Sequence, residues 1–331
     1  MTNPQSSILN PQSPVLVTGG AGFIGSHLVE RLLANGDSVI VVDDLSTGTL
    51  ENLRGVVENP KFHFIHSKIS DCAALPEMIS NAKAVYHLAA TVGVELVVQS
   101  AISVLETNLR ETEILFRAAA KNRTPVLLTS TSEVYGKSEK AEFGEEDDLL
   151  IGPPHCARWS YACSKLMDEF LALAYARERS VPVIIARLFN TVGPRQTGRY
   201  GMVLPRFIAS AKRGEPLRVF GDGSQTRCFC YVSDAVEALI RLQNCETARG
   251  EVFNVGGTEE ISIADLARRV IEILGSKSAL EFIPYSTAYA PGFDDMRRRK
   301  PAVEKLRSRI GFRPSKTLRE IIQLAANSIA P

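Results

Sequence analysis

Short apolar runs alternate with amphipathic stretches through the first half of the chain. Val15-Leu16-Val17-Thr18 is apolar up to its last residue, Ser26 to Ala34 repeats with a helical period and stops at Asn35-Gly36, and Ser38-Val39-Ile40-Val41-Val42 is apolar again. Unbroken apolar runs between turn residues are the mark of strands buried on both faces of a parallel sheet. Further runs follow at Phe62–His66, Ala84–Leu88, Pro125–Ser130 and Val181–Arg187, separated by helical stretches that include Val97 to Lys121 and the segment from Tyr161 to Ala176. This rhythm predicts an α/β fold with a doubly wound parallel sheet. It lapses between Leu188 and Thr226, where Gly193-Pro194-Arg195, Gly198, Gly201, Pro205, Gly214, Pro216 and Gly221-Asp222-Gly223 mark loops and one short helix. Helix Ser233–Leu242 and strand Val252–Val255 rejoin the first pattern. Helix Ile261–Leu274 (Ser262 as N-cap), strand Leu280–Ile283 and helix Thr317–Ala326 complete a second part. The organisation predicted is a polar, disordered lead-in over 1–13, a sheet domain over 14–188 plus about 233–255, and a smaller α/β lobe over about 189–232 plus 256–331.

Between the first strand and the first helix lies Gly19-Gly20-Ala21-Gly22-Phe23-Ile24-Gly25, and the second strand ends in Asp43-Asp44. Strand, glycine turn, helix, strand and acid in that order make a Rossmann-type dinucleotide site. Gly19 permits the tight turn, Gly22 lets the backbone approach a pyrophosphate, and Gly25 lets helix pack on strand. The helix N-terminus then faces the phosphates. Asp43 lies 18 residues after Gly25, close to the roughly 20 expected of an acid that binds the adenosine ribose. Because a 2′-phosphate would meet a carboxylate and no adjacent arginine, Asp43 favours NAD.

Composition narrows the classes. The chain has 331 residues, 45% hydrophobic and 23% charged, with a net charge of +1. That is an ordinary soluble composition with no bulk field for nucleic acid or membrane. No apolar run approaches the roughly 18 residues of a membrane span, and the N-terminal stretch lacks the apolar core of a signal peptide. The six cysteines, Cys72, Cys156, Cys163, Cys228, Cys230 and Cys245, form no CxxC pair and no zinc spacing. Reduced thiols in a cytoplasmic protein are expected, and no metal.

The candidate chemistry centres on Tyr161 and Lys165. Residues four apart share a helix face, and a nearby ammonium lowers a tyrosine's pKa, which would make the phenol a general base near neutral pH. The acidic loop 137–158 (Glu142, Glu145, Glu146, Asp147, Asp148) is expected to be solvated surface.

Glycines spaced GxxGxxG with Tyr-xxx-Lys downstream resemble the short-chain dehydrogenase/reductase superfamily, and the length resembles its extended branch, which acts on nucleotide sugars. The resemblance runs from about Pro14 to Ala326. It implies NAD as cofactor, held by Gly19, Gly22, Phe23, Ile24, Gly25, Asp43, Ala89, Asn108, Tyr161 and Lys165. Thr131, at a strand end, matches the hydroxyl of a Ser/Thr-Tyr-Lys triad. Asn190 and the run Pro216–Arg227 resemble a nucleotide-diphosphate cradle, with Asn190 on a phosphate, the Leu217–Phe220 edge (Leu217, Val219) on the base and Arg227 on the diphosphate. The substrate implied is a UDP-sugar. In relatives the helices corresponding to Val97–Lys121 and the one from Tyr161 pair across a two-fold axis, which implies a homodimer.

The reaction rests on residues flanking the triad. Ser132-Glu133, inside Ser-Thr-Ser-Glu-Val-Tyr-Gly, looks like the UDP-glucuronic acid decarboxylases, and Arg299-Lys300-Pro301 matches a second motif shared by UDP-xylose synthases and the bacterial enzyme that makes a 4-keto-pentose for lipid A modification. Pro153 to Tyr161 is nearer the lipid A enzyme and Gly221–Arg227 nearer the UDP-xylose synthases, so the product stays open. The resemblance implies Thr131, Glu133, Tyr161, Lys165 and Arg299 as catalytic, with Ser132 on the substrate. Glu133 would disfavour the substrate's carboxylate or supply or relay a proton, and Arg299 would hold the carboxylate or an enolate oxygen. The alternatives are a UDP-sugar 4-epimerase and a non-catalytic NAD-sensing relative, against which the intact triad argues.

Overall fold

The structure is a computed structural model describing residues 13–91, 101–197, 202–288 and 295–329. Residues 1–12 of the lead-in, Val97–Ser100 of the predicted helix, Gly198 and Gly201 lie outside them. In chain order the elements are β1 Val15–Thr18, α1 Phe23–Ala34, β2 Val39–Asp43, β3 Phe62–His66, α2 Leu75–Asn81, β4 Ala84–His87, α3 Ala101–Asn122, β5 Val126–Thr131, α4 Ser160–Arg179 and β6 Val183–Leu188. Then come β7 Thr191–Val192, α5 Val203–Arg213, β8 Leu217–Phe220, β9 Thr226–Cys228, β10 Cys230–Tyr231, α6 Val232–Gln243, β11 Glu251–Val255, β12 Glu260–Ser262 and α7 Ile263–Leu274. Last are β13 Leu280–Ile283, α8 Tyr285–Ala288, β14 Arg298–Arg299, α9 Glu304–Ile310 and α10 Leu318–Ser328.

Seven parallel strands form the main sheet in the order β3-β2-β1-β4-β5-β6-β11. Because strand side chains alternate between faces, each strand feeds two cores. Val15, Val17, Val39, Val41, Leu127 and Ile184 enter one, with α1 and α6. Leu16, Ile40, Val42, Val126, Leu128, Val183 and Ile185 enter the other, with α2, α3 and α4. Burial on both faces is why these strands read as unbroken apolar runs. A third cluster, from Leu204 and Phe207 through Leu217, Val219 and Leu266 to Ile322, makes the core of the C-terminal lobe. Leu306 and Phe312, around α9, pack into the first-face core of the sheet and not into that lobe.

The acidic loop is not simply solvated. Phe143 is fully buried, and its main chain pairs with Lys300 and Ala302 (2.8 and 2.9 Å). The Glu145 carboxylate accepts from the Asn254 amide N–H at 2.8 Å. An apolar residue amid the acids supplied the anchor, and it clamps the segment Arg299–Pro301 beside the sheet.

The candidate active site

The C-terminal ends of β1, β2, β4, β5 and β6 open onto one cleft of about 500 Å³, closed on its far side by the C-terminal lobe. This is where open α/β sheets bind ligands. Gly19 holds a positive φ of 71°, and a Cβ there would lie 2.7 Å from the Ala89 nitrogen. A Cβ on Gly25 would lie 2.1 Å from the Gly19 carbonyl oxygen. Only glycine fits either position. No side chain caps α1, so the N–H groups of its first turn, at Phe23, Ile24 and Gly25, are left to the cleft that these residues line. Asp43 ends β2, its two oxygens accepting from the Ala21 and Leu45 N–H groups, each at 2.8 Å. Burial pushes its carboxyl above the ordinary range, against those bonds. An acid fixed at that rim, a bare helix start and a glycine floor fit a dinucleotide. Asn108 lines the same wall, accepting from the Thr91 N–H at 2.8 Å and donating to the Ser164 hydroxyl at 3.1 Å. It ties the turn after β4 to α4.

At the middle of the cleft stand Thr131, Tyr161 and Lys165. The Thr131 hydroxyl hydrogen-bonds the Tyr161 phenol and accepts from the Glu133 N–H at 3.3 Å. The expected low phenol pKa is not found. Tyr161 is pushed up, first by burial and then by the negative charges of Glu133 and Asp168, with Thr131 and Arg299 opposing. Lys165 instead donates to the Asp168 carboxylate at 2.8 Å, a pair that is buried on both sides. Below it His87 bridges the hydroxyls of Thr18 (2.7 Å) and Thr112 (3.1 Å). Burial, and then Lys165, lower its pKa to about 3, so it is a neutral strut at physiological pH.

Beyond Tyr161 the cleft is lined by charge. Glu133 sits between two guanidiniums, Arg158 Nη1 at 2.5 Å and Arg299 Nη2 at 3.1 Å. Burial alone would raise its pKa, but Arg158 and Arg299 outweigh it and hold the carboxyl at about 2. Glu133 is therefore a fixed anion and cannot itself donate a proton at neutral pH. Arg299 on β14 lies directly opposite Arg227 on β9 in a parallel ladder. Arg227 donates to the Asp295 carboxylate (both oxygens 3.1 Å) and to the Met296 carbonyl (2.8 Å). Asp295 also lies 3.8 Å from Arg158. Ser132 is among the residues lining the cleft, and its hydroxyl is buried with no hydrogen-bond partner.

Two expected contacts move. Leu217 and Val219 are fully buried in the core of the C-terminal lobe, because alternation along β8 points them inward. Phe220, next along, is the residue that lines the cleft, with the Arg206 guanidinium 4.3 Å over its ring. Asn190, at φ +32°, lines the cleft but donates to the Cys228 carbonyl at 2.8 Å, joining β6 to β9.

Arg158, Asp168, Glu169 and Arg187 were not singled out from the sequence. Arg187 forks onto Glu169 (2.8–3.3 Å) and reaches Tyr135 (2.9 Å), while Ser130 donates to Glu169 at 2.5 Å. This buried net braces β5, β6 and α4 behind the triad. An arginine closing the apolar run of β6 was a legible signal, since a buried charge requires a partner. Arg158, in a loop, offered none. Among the described residues no group of His, Cys, Asp or Glu could hold a metal, no helix is long and apolar enough to cross a membrane, and all six cysteines are free thiols.

The pattern of the NAD dependent epimerase/dehydratase family matches residues 15–256. A UDP-N-acetyl-alpha-D-glucosaminuronate decarboxylase of Bacillus cytotoxicus is 41% identical over 313 residues, covering 93% of this chain and 96% of the relative. UDP-glucuronic acid decarboxylase 4 of Arabidopsis thaliana is 38% identical, covering 94% of this chain and 67% of the relative. Among solved structures, a UDP-glucuronic acid 4-epimerase from Bacillus cereus, in complex with UDP-glucuronic acid and NAD, superposes with a TM-score of 0.86 at 29% identity, covering 96% and 98% of the two chains. Taken with the glycine floor, Asp43 and the triad at the strand ends, these likenesses place the chain in the NAD dependent epimerase/dehydratase family.

Proposed function

We propose that this chain is an NAD-dependent nucleotide-sugar decarboxylase, which removes the C6 carboxyl of a UDP-hexuronic acid. The observation that carries the reading is the clamp of Glu133 between Arg158 and Arg299, beside Arg227 and Asp295. Three guanidiniums face two carboxylates, so the wall keeps one positive charge in excess, and an incoming carboxylate or diphosphate balances it. NAD, held by the Gly19–Gly25 floor and Asp43, would supply the hydride acceptor that turns the sugar's C4 alcohol into a ketone. Tyr161 takes the proton of the 4-hydroxyl, and Thr131 holds the reacting oxygen. That ketone is β to the C6 carboxylate, so loss of carbon dioxide leaves an enolate whose charge lies on the oxygen facing Thr131 and Tyr161. Arg299 holds the departing carboxylate or the enolate, and Glu133 keeps both guanidiniums aimed. Because Lys165 is paired with Asp168, the base form of Tyr161 has to be drawn out by positive charge entering the cleft.

The relatives differ in the substituent at C2 of the sugar, hydroxyl or acetamido, so the test offers both substrates. Purified protein with NAD is incubated with UDP-glucuronic acid and, separately, with UDP-N-acetylglucosaminuronic acid. A product lighter by carbon dioxide supports the decarboxylase. An epimer of unchanged mass makes it a 4-epimerase, and no turnover of either supports a non-catalytic relative or a different substrate.

Cofactor choice follows from Asp43. NAD is expected to bind at least about tenfold more tightly than NADP, and Asp43→Ala to narrow the gap. Equal wild-type affinities by calorimetry would remove Asp43 from the ribose.

We further propose that the protein is a cytoplasmic homodimer. Ile102 on α3 and Met167 and Phe170 on α4 are 74%, 52% and 61% exposed, on two helices that pack together. Covering such side chains gains about 1.5–3 kcal/mol each. Sedimentation at micromolar protein should give a dimer and Phe170→Glu a monomer; a monomeric wild type would end this reading.

A further inference from the structure

Asp168 has no place in the chemistry above, yet it is fully buried beside it. Tyr161, Lys165 and Asp168 fall at i, i+4 and i+7 on one face of α4. One Asp168 oxygen accepts from the Lys165 ammonium at 2.8 Å, while the other is buried with no hydrogen-bond partner. A half-satisfied carboxylate in a core is costly, and a leucine there would pack at no such cost. Structural duty does not account for it, because the neighbouring Glu169–Arg187 pair already braces the helix with every oxygen engaged.

We propose that Asp168 is a positioning residue for the Tyr161–Lys165 pair: its carboxylate holds the ammonium one turn along α4 and sets a negative charge against the phenol until the cleft is loaded. The inference rests on Tyr161 being the proton acceptor proposed above. The charged groups facing the phenol are Glu133 from the turn after β5, Arg299 from β14 and Asp168 itself, and neutral His87 faces Lys165 from β4. Burial contributes most to keeping the phenol protonated, Glu133 next and Asp168 after it. Glu133 is balanced by two arginines, whereas removing Asp168 takes a negative charge from beside the phenol and releases the Lys165 ammonium from its pair. The sign follows: without Asp168 the tyrosinate is favoured, and the pH at which the base form appears falls.

The experiment titrates Tyr161 by tyrosinate absorbance, taking the difference between each protein and the same protein carrying Tyr161→Phe. Wild type, Asp168→Asn and Asp168→Ala are compared, and circular dichroism selects a folded variant. The expected result is a Tyr161 midpoint lower by about one pH unit or more in the variant. The acid limb of the kcat/KM–pH profile should move down by the same amount, raising the base fraction on that limb about tenfold. An unchanged midpoint and an unmoved acid limb, whatever happens to kcat, would make Asp168 structural and overturn the proposal. If Tyr161→Phe alone retains full decarboxylation, the proton-acceptor reading fails instead. The absorbance titration needs neither substrate nor NAD, so it still decides whether Asp168 governs the phenol.

Discussion

Tyr161→Phe is expected to abolish decarboxylation and any NADH signal, a loss of at least about 10² to 10⁴ in rate. On the reading proposed above, the phenol beside Thr131 accepts the 4-hydroxyl proton, and every later step depends on the ketone formed there. The fold should survive, because losing one buried hydroxyl costs about 1 kcal/mol and Tyr161 opens α4 without bracing it. UDP affinity should be unchanged, since Arg227, which would hold the diphosphate, lies on β9 and not on α4. The check is carbon dioxide release and NADH absorbance beside a calorimetric UDP titration. A variant that still makes NADH would show that another group takes the proton.

Glu133→Gln is expected to slow carbon dioxide release by roughly a hundredfold to a thousandfold, the cost of losing one preorganised electrostatic group, while leaving UDP binding little altered. The amide keeps the size but removes the anion that holds Arg158 and Arg299 at 2.5 and 3.1 Å. A buried guanidinium, Arg158, and a half-buried one, Arg299, would then face each other across an uncharged group, and a destabilisation on the order of 3 kcal/mol is expected. Carbon dioxide release and thermal unfolding are measured side by side on wild type and variant. If the variant is as fast as the wild type, the reaction stands and the role of Glu133 falls. If the wild type releases none and returns UDP-galacturonic acid, the protein is an epimerase and Glu133 has another task.

Local order and local chemistry were legible in the chain by itself. The parallel sheet, the glycine floor, Asp43 at a strand end and the shared helix face of Tyr161 and Lys165 depend on short-range patterns: two-sided burial makes strands apolar, helical spacing aligns Tyr161 with Lys165, and a βα turn needs glycine where a Cβ would strike Ala89 or Gly19. Charge state and long-range pairing were not. Tyr161 and Lys165 were visible as neighbours, but the field at the phenol comes from burial, Glu133 and Asp168, and burial is a property of the whole fold. Arg158, Arg227, Glu133, Asp295 and Arg299 come together only when β14 pairs with β9 and Phe143 draws in the acidic loop. Leu217 and Val219 carried a plausible ligand motif, yet alternation along β8 and the helices packed behind it turned them into core. Sequence determines what a residue can do within a turn or two of itself; which charges it meets across the cleft is decided by packing.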